Sequence, residues 1–305
     1  MSQDPVHTLP DLETWSRPGP SLAVLGHPIA HSVSPAMHNA ALSRLAESDT
    51  RFADWRYFKF DIDPADLPRA LPLFRARGFA GLNLTVPHKV IAFGLVTDID
   101  DDARPIGAVN TLVARDGGWK AFNTDGYGME TGIRADLGVQ LRGSAVILLG
   151  AGGAARGAAV QCLQSGAISL HIANRTAANR DALIADLTPL LSSGQLCEGF
   201  DPSAPPPSLP DGALVINATS LGLRPDDDAP IDLSRLPRLR AVYDMIYNPP
   251  RTALLRDAAR LGIPHAHGLS MLVNQGARAL SLWTCLPASL LAPSMSAGAH
   301  AALGL

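Results

Sequence analysis

The chain has 305 residues, 47% of them hydrophobic and 17% charged, with a formal net charge of -3. That length favours two domains over one core, and the composition is globular, not disordered. Lysines and arginines are scattered, which argues against a nucleic-acid partner, no apolar run reaches the length of a membrane span, and residues 1–20 hold no secretory h-region. Cys162, Cys197 and Cys285 lie far apart with no metal-ligand spacing. Neither a metal site nor a disulfide framework is expected; the expectation is three reduced, mostly buried thiols in the cytoplasm.

In chain order, residues 1–20 read as an irregular leader because of Pro10, Pro18 and Pro20. SLAVLG (21–26) suits a buried strand. SPAMHNAALSRLA (34–46) suits a helix, with Ser34 as its N-cap and Pro35 at its first position. A strand over 55–60, a helix over 65–77 closed by Gly78, and another strand in GFAGLNLTVPHK follow. Strands alternating with helices predict a mostly parallel α/β sheet. VNTLVARDGGWKAFNTD (109–125) departs from this and reads as a hairpin turning at Asp116, Gly117 and Gly118.

NLTVPHK (83–89) places an amide, a hydroxyl and an ammonium group at one strand end. In an extended segment Asn83 and Thr85 share a face, while Leu84 and Val86 point to the core. The loop 26–39 holds Ser32 and Ser34 beside His31. Their hydroxyls could bind a polyol or a carboxylate, although Ser34 also suits plain helix capping.

The second half begins with SAVILLGAGGAARGAAVQCLQSG (144–166), which is strand, glycine loop and helix. The spacing G-x-G-x-x-A over Gly150–Ala155 gives a tight turn at Gly150, close backbone approach to a pyrophosphate at Gly152, and helix packing at Ala155. Unpaired N–H groups at the helix N-terminus suit phosphate oxygens. The next strand, 168–175, ends in Asn174-Arg175-Thr176 where an NAD site usually has an acid. An arginine there can hold a 2′-phosphate, so the expected cofactor is NADP. Further strands are expected over 213–220 and 240–247, and helices over 252–261 and 269–286. The proline-rich 201–212 and acidic 224–230 read as solvated loops.

The motifs GHPIAHSVSP, NLTVPHK, GAVNTL, NTDGYG, GAGGAARG, NRT, INATSLG, YDMIYNP and GLSMLVNQ run in order along the chain. By them it is identified as resembling the shikimate dehydrogenases. The resemblance implies a substrate domain over 1–124 plus 268–305, an inserted Rossmann-like NADP domain over 125–267, and an active site in the cleft between them. It implies Lys89 and Asp125 as the catalytic pair. Ser32, Ser34, Asn83, Thr85, Asn110, Tyr247 and Gln275 match substrate-binding positions. Gly150, Ala151, Gly152, Gly153, Ala154, Asn174, Arg175, Thr176, Thr219, Met245 and Gly268 match cofactor-binding positions. Three positions depart from the family pattern: His88 stands for a common phenylalanine, Asn179 with Arg180 displaces a second arginine, and Ser270 replaces a glycine.

The implied reaction is NADPH-dependent reduction of 3-dehydroshikimate to shikimate, on the route to chorismate and the aromatic amino acids. Reducing a ketone requires a proton at oxygen, and an ordinary lysine is charged near neutrality and can donate one. Asp125 would orient Lys89 and bond a ring hydroxyl. The purely structural alternative for these two is an ion pair between segments. Competing functions are a quinate/shikimate or aminoshikimate dehydrogenase and, in another class, a non-catalytic sensor of NADPH or shikimate. The expected partner is a small molecule, with no nucleic acid and no membrane, and the expected state is a monomer or homodimer.

Overall fold

The computed structural model describes residues 5–305. The chain divides into two compact units, one formed by Met1–Thr124 with Val273–Leu305, the other by Asp125–Leu272. Each unit is built on its own sheet.

The first unit starts with β1 (Val6–His7) and α1 (Leu9–Glu13), where an irregular leader was expected. Pro10 sits in the first turn of α1, where the missing N–H costs nothing. The Asp11 carboxylate accepts from the Thr8 N–H at 2.7 Å and its hydroxyl at 2.8 Å, closing that turn. Then follow β2 (Ser21–Gly26), α2 (Ser34–Ala46), β3 (Arg56–Asp61), α3 (Leu67–Ala76) and β4 (Phe79–Leu84). The predicted helix over 65–77 opens as a 3₁₀ turn at Pro64–Asp66 before the α-helix begins. Beyond β4 come α4 (His88–Leu95), β5 (Asp98–Ile99) and the hairpin β6 (Thr111–Arg115) and β7 (Gly118–Phe122).

The sheet order is β1-β3-β2-β4-β6-β7-β5. Strands β1 to β4 are parallel, and the hairpin adds antiparallel pairs at β4–β6 and β6–β7. The chain winds outward from β2 to β3 on one side and to β4 on the other. The carboxyl ends of β2 and β4 therefore flank a topological switch point, where α/β sheets open a crevice. One sheet face is an apolar core that includes Leu25, Phe60, Phe74, Phe79 and Leu82. The other face carries Tyr57 and Lys59 of β3 and Asn83 of β4, all buried.

The second unit holds α5 (Asp125–Leu137), β8 (Ala145–Leu149), α6 (Gly153–Gln164), β9 (Ser169–Ala173), α7 (Ala177–Leu187) and β10 (Leu196–Phe200). Next are β11 (Ala213–Asn217), β12 (Leu239–Asp244), α8 (Ala253–Arg260) and β13 (His265–His267). Its all-parallel sheet runs β10-β9-β8-β11-β12-β13. In order of appearance that is 3-2-1-4-5-6, the doubly wound dinucleotide topology. The switch point lies between β8 and β11. Helix α9 (Leu269–Thr284) contains the second change of unit, and α10 (Ala288–Leu303) follows it and packs on α2.

Several elements were not foreseen: α4, β5, α5, α7, β10, β13 and α10. β10 is an edge strand that buries only Phe200 fully, so it has no apolar alternation to read. α10 carries Pro293 in its interior, which argues against a helix on local grounds. Val86 is a correction: β4 ends at Leu84, and Val86 is 72% exposed where a core position was expected.

Candidate active site

In the first unit the predicted residues cluster at the carboxyl ends of β2 and β4. β4 delivers Asn83, and the chain then turns through Thr85 into α4, where Lys89 is the second residue. Backbone bonds fix this turn from three sides. The Thr85 N–H donates to Leu25 O at 2.9 Å, His88 N–H to Thr85 O at 2.8 Å, and Val109 N–H to the Lys89 carbonyl at 3.0 Å. Lys89 is half-buried and the turn before it is tied down, so its side chain starts from a defined point.

Behind it runs a chain of buried polar groups. The Tyr57 hydroxyl donates to Asn83 Oδ1 at 2.8 Å. Asn83 Nδ2 donates to Asn110 O at 3.1 Å and to Thr111 Oγ1 at 3.0 Å. Asn110 Oδ1 accepts from the Thr124 N–H at 2.8 Å, and its Nδ2 reaches Gln275 Oε1 at 3.5 Å. Burial holds the Tyr57 phenol well above its ordinary pKa, opposed in part by the Ser34 hydroxyl beside it. Ser34, Asn83, Asn110 and Gln275 thus belong to one connected array. Both N–H groups of the Asn83 amide are used within the protein, so Asn83 is a scaffold as well as a candidate ligand.

Ser34 is not the N-cap of α2. That position is Val33, and Ser34 begins the helix. The Ser32 hydroxyl accepts from the Ser34 N–H at 3.3 Å. Both half-buried serine hydroxyls therefore sit at the helix start without Ser34 being committed to capping. Beneath them His38 is fully buried, stacked on Tyr57 with ring centroids 3.9 Å apart, its Nδ1 bonded to Ser34 O at 2.9 Å. A carbonyl accepts, so Nδ1 carries the proton; burial pushes the His38 pKa down to about 4. His88, beside Lys89, is also buried. Burial lowers its pKa, and the Ile62 backbone, which pulls the other way, does not reach hydrogen-bond geometry. A neutral ring that forms no bond resembles the apolar residue it replaces. Tyr57, Thr111 and Thr124 were missed by sequence reading; their only signal was a polar residue inside an otherwise apolar strand or at a strand end.

In the second unit the glycine loop follows β8 at the switch point. Gly150 has φ +109°, and a Cβ there would meet Ala218 O at 3.2 Å and Thr219 Cγ2 at 3.1 Å. Gly152 caps α6 with no side-chain bond to the first turn, and a Cβ on Gly152 or Gly153 would meet nothing within 4 Å. The N–H groups of α6 therefore face open space, a phosphate cradle in geometry and polarity. A cavity of about 290 Å³ adjoins it, lined by Gly150, Ala151, Gly152, Asn174, Arg175 and Thr219. Arg175 is exposed and has no hydrogen-bond or ion-pair partner among the described residues. Asn174 Nδ2 donates to Thr176 O at 2.9 Å and shapes that turn. Arg180, in contrast, is bonded to Asp181 at 2.8 Å and packs over Gly199.

The remaining positions expected to bind the cofactor adjoin a network the sequence did not disclose. Asp244, buried at the end of β12, accepts from Asn217 Nδ2 at 3.0 Å, the Ile246 N–H at 3.0 Å and Thr252 Oγ1 at 2.7 Å. Asn217 Oδ1 in turn accepts from the Thr219 N–H at 3.0 Å and hydroxyl at 2.8 Å. Burial raises the Asp244 pKa against these bonds. Gly268 lies against this segment: a Cβ there would stand 2.1 Å from Met245 O, so only glycine fits. Tyr247 is half-buried on the same segment, and burial raises its pKa. Asp125 opens α5, also half-buried. Ser270 ties α9 to this unit through bonds to Asp136 and, at 3.3 Å, Tyr243.

The topology and the cradle define a class: the second unit is a doubly wound α/β domain of the dinucleotide-binding type. Comparison with known proteins narrows this. The sequence model of the shikimate dehydrogenase substrate binding domain matches residues 24–112. A shikimate dehydrogenase (NADP(+)) from Symbiobacterium thermophilum is 40% identical over 274 residues, covering 87% of this chain and 89% of its own. A shikimate 5-dehydrogenase from Thermus thermophilus, solved with NADP(H) and shikimate, is 34% identical with a TM-score of 0.77, covering 93% and 99%. Ligand-free 5-ketofructose reductase of Gluconobacter sp. strain CHM43 is 32% identical with a TM-score of 0.79, covering 92% and 99%. The chain belongs to the shikimate dehydrogenase family. No helix among the described residues is long and apolar enough to cross a membrane.

Proposed function

We propose that the protein catalyses the reversible, NADPH-dependent reduction of 3-dehydroshikimate to shikimate. The observation that carries this is Lys89, set by three backbone bonds beside the Asn83–Asn110 array, in a chain whose other sheet carries the dinucleotide cradle. The substrate belongs to the first unit and the cofactor to the second.

NADPH, when bound, supplies the hydride. The cofactor would be held by the 150–154 loop (Gly150, Ala151, Gly152, Gly153 and Ala154), by Asn174, Arg175 and Thr176, and by Thr219, Met245 and Gly268. Arg175 would pair with the 2′-phosphate, the feature that separates NADP from NAD. Lys89 donates the proton to the carbonyl oxygen in reduction and takes it back in oxidation. Asp125 accepts from a ring hydroxyl. Ser32, Ser34 and Tyr247 hold the carboxylate, and Thr85 and Gln275 fix the ring hydroxyls. Asn83 and Asn110 bind the ring and keep these groups in place. Three free thiols, one of them exposed, fit a reducing cytoplasm, and we assign a monomer or homodimer there.

Steady-state kinetics with shikimate, quinate and 5-ketofructose, each with NADP(H) and NAD(H) in the appropriate direction, test the proposal. The largest kcat/KM is expected for shikimate with NADP. A larger value for quinate with NAD, or for 5-ketofructose with NADPH, would assign the protein to that substrate instead.

A further inference from the structure

Lys59 lies in the middle of β3, and its side chain is only 4% exposed. Strand register places it in one cross-strand row with Val24 and Asn83, on the face of the sheet that carries the polar array. Its Nζ donates to Ala30 O at 2.9 Å. Ala30 sits two residues before Ser32 in the loop that leads to Ser34. That is its one hydrogen bond among the described residues, and no described carboxylate lies within 4.0 Å of Nζ. The acid that follows on the same face, Asp61, is bonded to His27 at 2.6 Å.

A buried ammonium group without a counter-ion is unfavourable, and buried charges in proteins are as a rule paired. Two of the three Lys59 donors find no protein acceptor among the described residues, and the group reaches the backbone of the loop that presents two serine hydroxyls. A carboxylate bound at those hydroxyls would bring the missing negative charge. Serine hydroxyls alone are neutral donors and select an anion weakly over a neutral isostere. A buried cation bonded to the backbone of the loop that carries them would select more strongly.

We infer that Lys59 is a specificity-determining residue: it is the fixed buried cation that makes the Ser32–Ser34 loop select a carboxylate-bearing substrate over a neutral one. The inference rests on the shikimate reading above. The charge favours the bound anion equally in ground and transition states, so its effect belongs in KM and not in kcat.

Three variants separate charge from scaffolding. Lys59→Gln keeps a donor for Ala30 O without the charge, Lys59→Met removes both, and Lys59→Arg keeps both. The readouts are KM and kcat with shikimate and with shikimate methyl ester, and the Tm rise on adding shikimate. Lys59→Gln and Lys59→Met are expected to raise KM for shikimate about tenfold or more, with kcat changed less than about threefold. Both should lose most of the preference for shikimate over its ester and most of the shikimate-induced Tm rise, while Lys59→Arg retains them. Ligand-free Lys59→Met should be at least as stable as the parent, because a buried unpaired charge is gone. A Lys59→Gln protein with normal KM and normal acid-over-ester preference overturns the inference and leaves a loop-holding role only. A parent protein that does not turn over shikimate at all overturns the functional reading, and this inference with it, a result distinct from the first.

Discussion

The two candidate sites are made from different materials. In the first unit the site is a side-chain construction. Tyr57, Asn83, Asn110, Thr124 and Gln275 are joined by hydrogen bonds, and those in the strands are buried. In the second unit the site is mostly backbone: a glycine turn, an uncapped helix start and one exposed guanidinium. The difference follows from the ligands each must hold. A pyrophosphate is satisfied by N–H groups in a generic geometry, which any strand-loop-helix with glycines supplies. A ring with several hydroxyls and a carbonyl demands donors and acceptors at fixed points, and those need mutual support to stay fixed.

Mutations should therefore fail differently in the two regions. Lys89→Ala has the largest expected effect: kcat falls about a thousandfold, with little change in KM for NADP, because general acid catalysis is lost. Stopped-flow and steady-state rates check this, and near-normal turnover would remove Lys89 from proton transfer. Asn83→Ala should lower stability by about 3 kcal/mol in chemical denaturation, since it strands the buried Tyr57 hydroxyl and deletes two further bonds. An unchanged denaturation midpoint would show that the array is not mutually supporting.

His38 gives the same region a pH signature. Its folded pKa of about 4 lies below the ordinary 6.5, so the folded state keeps the ring neutral while the unfolded chain takes up a proton. The stabilising contribution is complete above pH 6.5 and is lost as pH falls towards 4, about 3 kcal/mol in all. Urea denaturation from pH 8 to pH 4.5 should show this loss in the parent protein and a flatter profile in His38→Phe. Smallest is Arg175→Ala in the backbone-built site. It should weaken NADP about 30-fold, roughly 2 kcal/mol, and leave NAD almost unchanged. Equal losses for both cofactors would mean that Arg175 supports the loop and does not read the phosphate.

Legibility in the sequence follows the same division. The glycine loop, Arg175, the hairpin and the alternating strands and helices were readable because each is local and has its own period or turn chemistry. Gly268 could be assigned only by resemblance, since its need for no side chain comes from Met245 O, a distant backbone atom. Edge strands such as β10, mostly exposed, give no periodic signal. Ser34 looked like a helix cap because serine before proline is a strong local pattern, and the fold placed the cap one residue earlier.

The amino-acid sequence by itself determined the α/β class, the dinucleotide loop with its bias towards a 2′-phosphate, and the lysine just past the third long strand. The tertiary structure alone decided that Asn83 is held by Tyr57, that Asn110 meets Gln275, and that Lys59 lies buried with no acid beside it among the described residues. The reason is physical. Local patterns report which face of an element turns inward, whereas contacts between residues far apart in the chain depend on strand order and register, which are fixed only when the sheet assembles.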